Sequence, residues 1–221
     1  MKFIAFGACV LLSLGCGMFS RDAAREKHLI IKKSRTAEIG VLTNAGGRIV
    51  LLRTPGGANI LRSDAFEWGH EPPKPPEGAA KKEYREYGGS IVWTGPQSRW
   101  WQEQSILPAK KKLKGKWPWP PDPFLTFGAF TVVTNGKDVL SLKGEVSPVS
   151  GVSLTKTISL GQHIHCTVTA SNGSAGVIER DLWTATMLSA DVRVYVPVAD
   201  QRSVRFMNRA IRTNVIWDTA G

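Results

Sequence analysis

Five tryptophans, Trp93, Trp100, Trp101, Trp117 and Trp119, fall close together in the chain and alternate with Gln97, Arg99, Gln102 and Asp122. Indole is flat and electron-rich, so it stacks on the C–H face of a sugar ring, while amides, guanidinium groups and carboxylates at the rim satisfy the hydroxyls. This composition is what a carbohydrate cleft needs. The same indoles could instead pack long loops onto a scaffold, because a loop without regular structure needs an apolar cluster of its own, and both readings stand. Arg48, directly after Gly46-Gly47, is a second candidate: its fork of donors suits vicinal hydroxyls or a carboxylate. Asn59 either reads a hydroxyl or closes a turn.

Other chemistries find little support. His163 and His165 share one face of a strand and Cys166 the other, so the three cannot converge on a metal, and His28 and His70 have no ligand spacing. Two solvent-facing histidines are expected, with no metal and no cofactor. Glu103, Asp122, Glu145, Glu179 and Asp181 are present, but their spacing sets no pair across a cleft. No nucleophile elbow, phosphate loop or dinucleotide fingerprint occurs, so no residue is assigned a catalytic role.

The 221 residues carry a net charge of +11, and 42% are hydrophobic, which excludes a wholly disordered chain. Part of the charge lies in the run Lys110, Lys111, Lys112, Lys114, Lys116. It reads first as a solvated loop, then as a footprint for anionic lipid or acidic polysaccharide. Nucleic acid is not expected, because the N-terminus carries an export pattern. Lys2 precedes the apolar run 3–14, too short for a membrane-spanning anchor, and Ser13-Leu14-Gly15-Cys16 follows the pattern of a bacterial lipobox. Residues 1–15 are thus expected to be a lipoprotein signal and Cys16 the lipidated residue. The protein would then be anchored in the bacterial cell envelope, on a periplasmic or outer-membrane face. Cys166 would be the one cysteine of the folded part, expected buried and inert. Nothing in the sequence sets an oligomeric state.

The elements that must position these residues are mostly strands. Residues 16–37 read as a linker with one short helix, 23–31. From Glu38 the hydrophobic period becomes two, giving strands at 38–43 and 48–53 with a turn between them. Residues 63–123 hold ten of the thirteen prolines and six of the eight tryptophans, with one strand candidate at 89–93. They are expected to be large ordered loops over a β scaffold. Strands follow at 127–134 and 139–143 around Asn135-Gly136, then at 152–160, 163–170, 177–188 and 192–198, while 203–218 is ambiguous. Antiparallel strands with short turns argue an all-β sandwich or barrel.

The order of segments carries a resemblance. Gly46-Gly47-Arg48-Ile49, Gly57-Ala58-Asn59-Ile60-Leu61, Tyr87-Gly88-Gly89-Ser90-Ile91-Val92-Trp93, Gln97-Ser98-Arg99-Trp100-Trp101, Trp119-Pro120-Pro121-Asp122-Pro123, the strand pair from Gly151 and Arg180-Asp181-Leu182-Trp183 together resemble the galactose mutarotase-like superfamily. They are most similar to its bacterial lipoproteins, over roughly residues 38–200. The resemblance implies a large antiparallel β-sandwich, truncated at its C-terminus, spanning 38–221. It also implies a sugar-sized cleft on one concave sheet. The strand that carries the catalytic histidine in such enzymes reads Asp181 to Thr186 here and has none, and no acidic residue follows Asp218. Binding without epimerisation is therefore expected, with Trp93, Arg99, Trp100, Trp101 and Trp119 as stacking and rim contacts and Arg48, Asn59 and Trp183 on the cleft floor. The alternatives are an enzyme acting on a sugar or uronate, epimerase-like or lyase-like, and a structural lipoprotein of the envelope.

Overall fold

A computed structural model describes residues 27–112, 118–195 and 200. The chain forms two units, Met1–Ala190 and Asp191–Gly221, and the elements below belong to the first. The expectations for Cys16, the signal, Trp117 and the tail 203–218 lie outside the described residues. Of the strand expected at 192–198, residues 192–195 are coil and the remainder lies outside them.

The all-β expectation holds. Among the described residues, nine strands make two antiparallel sheets. The first comprises β1 (Leu29–Lys33), β2 (Glu38–Leu42), β3 (Arg48–Arg53), β4 (Ser90–Gly95) and β9 (Asp181–Thr186), in the order β1-β2-β3-β4-β9. The second is a meander of β5 (Phe130–Asn135), β6 (Val139–Gly144), β7 (Val152–Leu160) and β8 (Ile164–Asn172). The sheet begins at Leu29, inside the stretch expected to be linker, because Leu29, Ile30 and Ile31 pair with Leu42, Val41 and Gly40. The helix expected at 23–31 gives way there to strand. The expected strand at 127 starts at Phe130, since Pro123–Thr126 is first taken up by a helical turn.

Alternation sorts the side chains. Ile39, Val41 and Val92 of the first sheet meet Phe130, Leu140, Leu142, Val152, Leu154, Ile158 and Leu160 of the second in the core between the sheets. Burying such a set stabilises the fold at about 25 cal/mol per Å² of apolar surface. The opposite face of the first sheet is not left to solvent. Leu42 and Val50 pack with Trp68, Tyr87 and Phe127, and Ile91 and Trp93 pack with Trp100, Trp101 and Val149. The described part of the Pro/Trp-rich excursion, 63–112 and 118–123, is thus an ordered cover over that face. It contains the single helical turn α1 (Pro108–Lys111) and is followed by α2 (Pro123–Thr126).

The β2–β3 turn depends on two glycines. Gly46 and Gly47 have φ of 72° and 57°, a region that residues with a Cβ rarely adopt. A Cβ at Gly46 would also lie 2.6 Å from the Leu125 carbonyl oxygen. The turn therefore lets α2 settle directly against the sheet. Among the described residues no helix is long and apolar enough to cross a membrane.

Candidate functional site

Trp93 stands on β4 with Ile91 and Gly95 on the covered face. Its Cα partner on β9 is Trp183, and residues directly opposite in an antiparallel pair project to the same side. The Trp183 indole lies over Gly95, where a Cβ would come within 2.4 Å of its ring. After β4, the 3-10 turn Gln97–Arg99 brings the chain back, so that the Trp100 indole donates to the Thr94 carbonyl. Trp101 donates to the Pro118 carbonyl at 2.6 Å. Lys110 of α1 donates to the Trp119 carbonyl at 3.1 Å, with its ammonium 5.0 Å from the Trp101 ring. These bonds fix the segment carrying Trp119 onto the loop carrying Trp100 and Trp101.

The rings form one array. Trp93 meets Trp100 at 6.1 Å and Trp119 at 5.9 Å, both edge to face, and Trp100 meets Trp119 at 6.3 Å. Trp119 continues to Tyr84 at 5.0 Å, and Tyr84 to Phe127 at 5.1 Å. Edge-to-face contacts at these spacings add to the stability given by burial. Most of the array is spent on packing: Trp93, Trp100 and Trp101 are buried, whereas Trp119 is 36% and Trp183 41% exposed. Two indoles adjoining the same buried Trp93 thus keep open ring surface.

A charged rim borders them. Glu103 accepts from Arg99 through one oxygen and from Arg180 through the other at 2.6 Å, and Glu179 lies 4.0 Å from Arg99. Hydrogen bonds from Arg180 and then Arg99 hold the Glu103 carboxyl below its usual range, so it stays ionised and occupied. Arg99 is accordingly a rim residue locked to its neighbours. Asp122, also on the acid–base census, is sealed: it accepts from Ser147, from Ser150 at 2.8 Å and from the Phe124 amide at 2.9 Å. Burial pushes its pKa up, against those hydrogen bonds. Its work is to cap α2 and anchor the 147–150 turn.

The structure does not bring Asn59 to this surface. Its side chain accepts from Leu52 and Leu61 and donates to the Val50 carbonyl, which closes the turn onto β3. Arg48 is fully buried beneath the excursion and donates to the Gly88 carbonyl at 3.1 Å and the Thr126 carbonyl at 3.4 Å. Its guanidinium lies 5.6 Å from the Tyr87 ring, and the Tyr84 hydroxyl is near enough to support its charge against the cost of burial.

Two residues of this region escaped sequence reasoning. Tyr84 lies in Lys81-Lys82-Glu83-Tyr84-Arg85-Glu86, which carries no periodic signal. Lys156 did leave one, since it takes a core position between Leu154 and Ile158 on β7. It is buried and donates to the Gly46 and Gly47 carbonyls at 2.7 and 3.1 Å. Burial, followed by the nearby Arg48 charge, pulls its pKa down to about 7.

His163 and His165 are exposed, as expected, with rings 6.3 Å apart. No cluster of three metal-ligating side chains occurs among the described residues. Cys166 contradicts its expectation: it is exposed, because β8 is an edge strand whose inner face is only partly covered. A depression of about 460 Å³ lined by Arg35, Thr36, Gly161 and Gln162 touches none of the aromatic array. That depression gathers one arginine and the neutral polar side chains of Thr36 and Gln162, with no aromatic or acidic group.

A family model described as "Domain of unknown function (DUF4380)" matches residues 29–216. No curated protein matches the chain. Among solved structures, the crystal structure of a "Putative aldose 1-epimerase" from Escherichia coli K12 is similar at a TM-score of 0.41 and 13% identity, covering 65% of this chain. This chain spans 46% of that protein's length.

Proposed function

The chain belongs to the DUF4380 family, and from that premise and the site geometry we propose that it binds a carbohydrate on a mutarotase-like sandwich without turning it over. The observation that carries this is the pair of part-open indoles, Trp119 and Trp183, on either side of buried Trp93. A protein that only packs its loops has no need to leave two tryptophans more than a third exposed beside one another's contacts. The flanking arginines and carboxylates of Arg99, Glu103, Glu179 and Arg180 supply donors and acceptors for hydroxyls.

Binding rather than catalysis is favoured by the state of the carboxylates. Glu103, held by two arginines, is a poor proton acceptor, and Asp122 is enclosed by its own hydrogen bonds. The export reading completes the proposal: a lipid on Cys16 would tether the domain to the envelope membrane. Labelling with a fatty-acid analogue, lost in Cys16→Ala, tests that part.

The binding proposal is tested by tryptophan-fluorescence titration against neutral and acidic saccharides. A saturable shift that Trp119→Ala and Trp183→Ala each remove is the expected result. No response across the panel would leave an interaction protein whose tryptophans are loop core.

A further inference from the structure

Three buried donors in the covered region have no hydrogen-bond partner: Arg48 Nε, the Tyr84 hydroxyl and Trp93 Nε1. They are not scattered. Trp93 touches Trp119, Trp119 touches Tyr84, and the Tyr84 hydroxyl faces the charge of Arg48. Unmet buried donors are costly, and most native structures satisfy them with protein, water or ligand.

Charge makes the point sharper. Arg48 and Lys156 are both buried, and among the described residues neither forms an ion pair. Their hydrogen bonds run only to main-chain carbonyls, of Gly88 and Thr126 for Arg48 and of Gly46 and Gly47 for Lys156. A buried cation without a buried anion is expensive. The Nε of Arg48 has no hydrogen-bond partner, and Nε with a terminal nitrogen is the edge of a guanidinium that takes a carboxylate in two parallel bonds. Trp119, part-exposed, packs its ring on that of Tyr84 at 5.0 Å.

We propose that Arg48 and Tyr84 bind the carboxylate of an acidic saccharide, a uronate, whose ring lies against Trp119. This rests on the carbohydrate reading above and adds the sign of the ligand's charge. The carboxylate would accept from Arg48 Nε and the Tyr84 hydroxyl, and it would supply the missing negative charge beside Lys156.

The test is calorimetric titration of the full chain, in detergent, with glucuronate, galacturonate, glucose and galactose. The expected result is uronate binding at least about tenfold tighter than binding of the neutral sugars, the gain of one added charge-assisted hydrogen bond. Tyr84→Phe is the decisive variant, because it removes only the hydroxyl and keeps the ring packed between Trp119 and Phe127. It should lower uronate affinity several-fold and leave neutral-sugar affinity unchanged; Arg48→Lys should lower it further. Equal affinity for acidic and neutral sugars, or an unchanged uronate affinity in Tyr84→Phe, overturns the proposal while the carbohydrate reading stands. Binding of no saccharide at all overturns both.

Discussion

Trp93 and Trp183 are direct partners in the β4–β9 register, yet Trp93 is 8% exposed and Trp183 is 41% exposed. One face of one sheet therefore changes from interior to surface between two adjacent strands. The reason is the excursion from residue 63, whose Trp100 and Trp101 bury Ile91 and Trp93 of β4 and reach Ala185 of the edge strand β9, but leave Trp183 part-open. The proposed ligand surface lies at that boundary, where packed aromatic side chains meet solvent.

The boundary predicts a division among the tryptophans. Trp183→Ala should cost under about 1.5 kcal/mol of stability, because the indole is already part-solvated, and should abolish the saccharide response. Trp101→Ala should cost about 3–5 kcal/mol, the usual range for emptying a buried aromatic site. Urea denaturation beside fluorescence titration separates the two; similar losses of stability for both variants would contradict the assignment.

Lys156 predicts a pH dependence with a definite sign. Its folded pKa, about 7, lies below its ordinary value of 10.5, so between those values the unfolded chain binds the extra proton. Stability should rise with pH from about 7 to 9, by at most about 1.4 kcal/mol per unit for one proton. Cys166 is exposed as a residue, but its thiol is partly desolvated and its pKa pushed up, so it acts in the opposite direction as pH rises through its own range, which is why the window ends near 9. In Lys156→Met the slope should flatten. A slope of equal size in that variant would assign the effect elsewhere.

Asp122→Ala should cost on the order of 3 kcal/mol. It removes the cap of α2 and leaves the Ser147 and Ser150 hydroxyls buried without an acceptor. Asp122→Asn, which keeps an acceptor oxygen, should cost less. Urea midpoints measure both, and a loss below about 0.5 kcal/mol in the alanine variant would show that the carboxylate is not the anchor.

Cys166 should react with a thiol reagent in the native protein without denaturant, because it is exposed. The reaction should be slow at pH 7 and accelerate above pH 9, since its pKa is raised and only the thiolate is nucleophilic. Peptide mapping of the labelled protein, with Cys166→Ser as control, checks this. Labelling of Cys166 only after unfolding would show that the edge of β8 is covered.

Much of the scaffold was legible in the sequence. Period-two alternation placed strands at 38–43, 48–53 and 152–160, the first ending one residue earlier in the fold, and Asn135-Gly136 placed the β5–β6 hairpin, because these signals are local. The tryptophan and proline content of 63–123 identified the segment that builds the candidate site. β1 was missed because its residues 29–33, Leu-Ile-Ile-Lys-Lys, alternate poorly and become a strand only by pairing with β2.

Burial was decided by tertiary structure alone. Arg48 and Lys156 look like ordinary surface cations in sequence, yet both lie in the interior, where main-chain carbonyls take their donors: those of Gly88 and Thr126 for Arg48, those of Gly46 and Gly47 for Lys156. Likewise, local sequence cannot tell Trp100 and Trp101, which pack, from Trp119 and Trp183, which keep open faces. The sequence by itself determined which residue types are present and where strands form. How far the cover extends across the sheet depends on contacts between residues tens of positions apart, and only the folded chain fixes that.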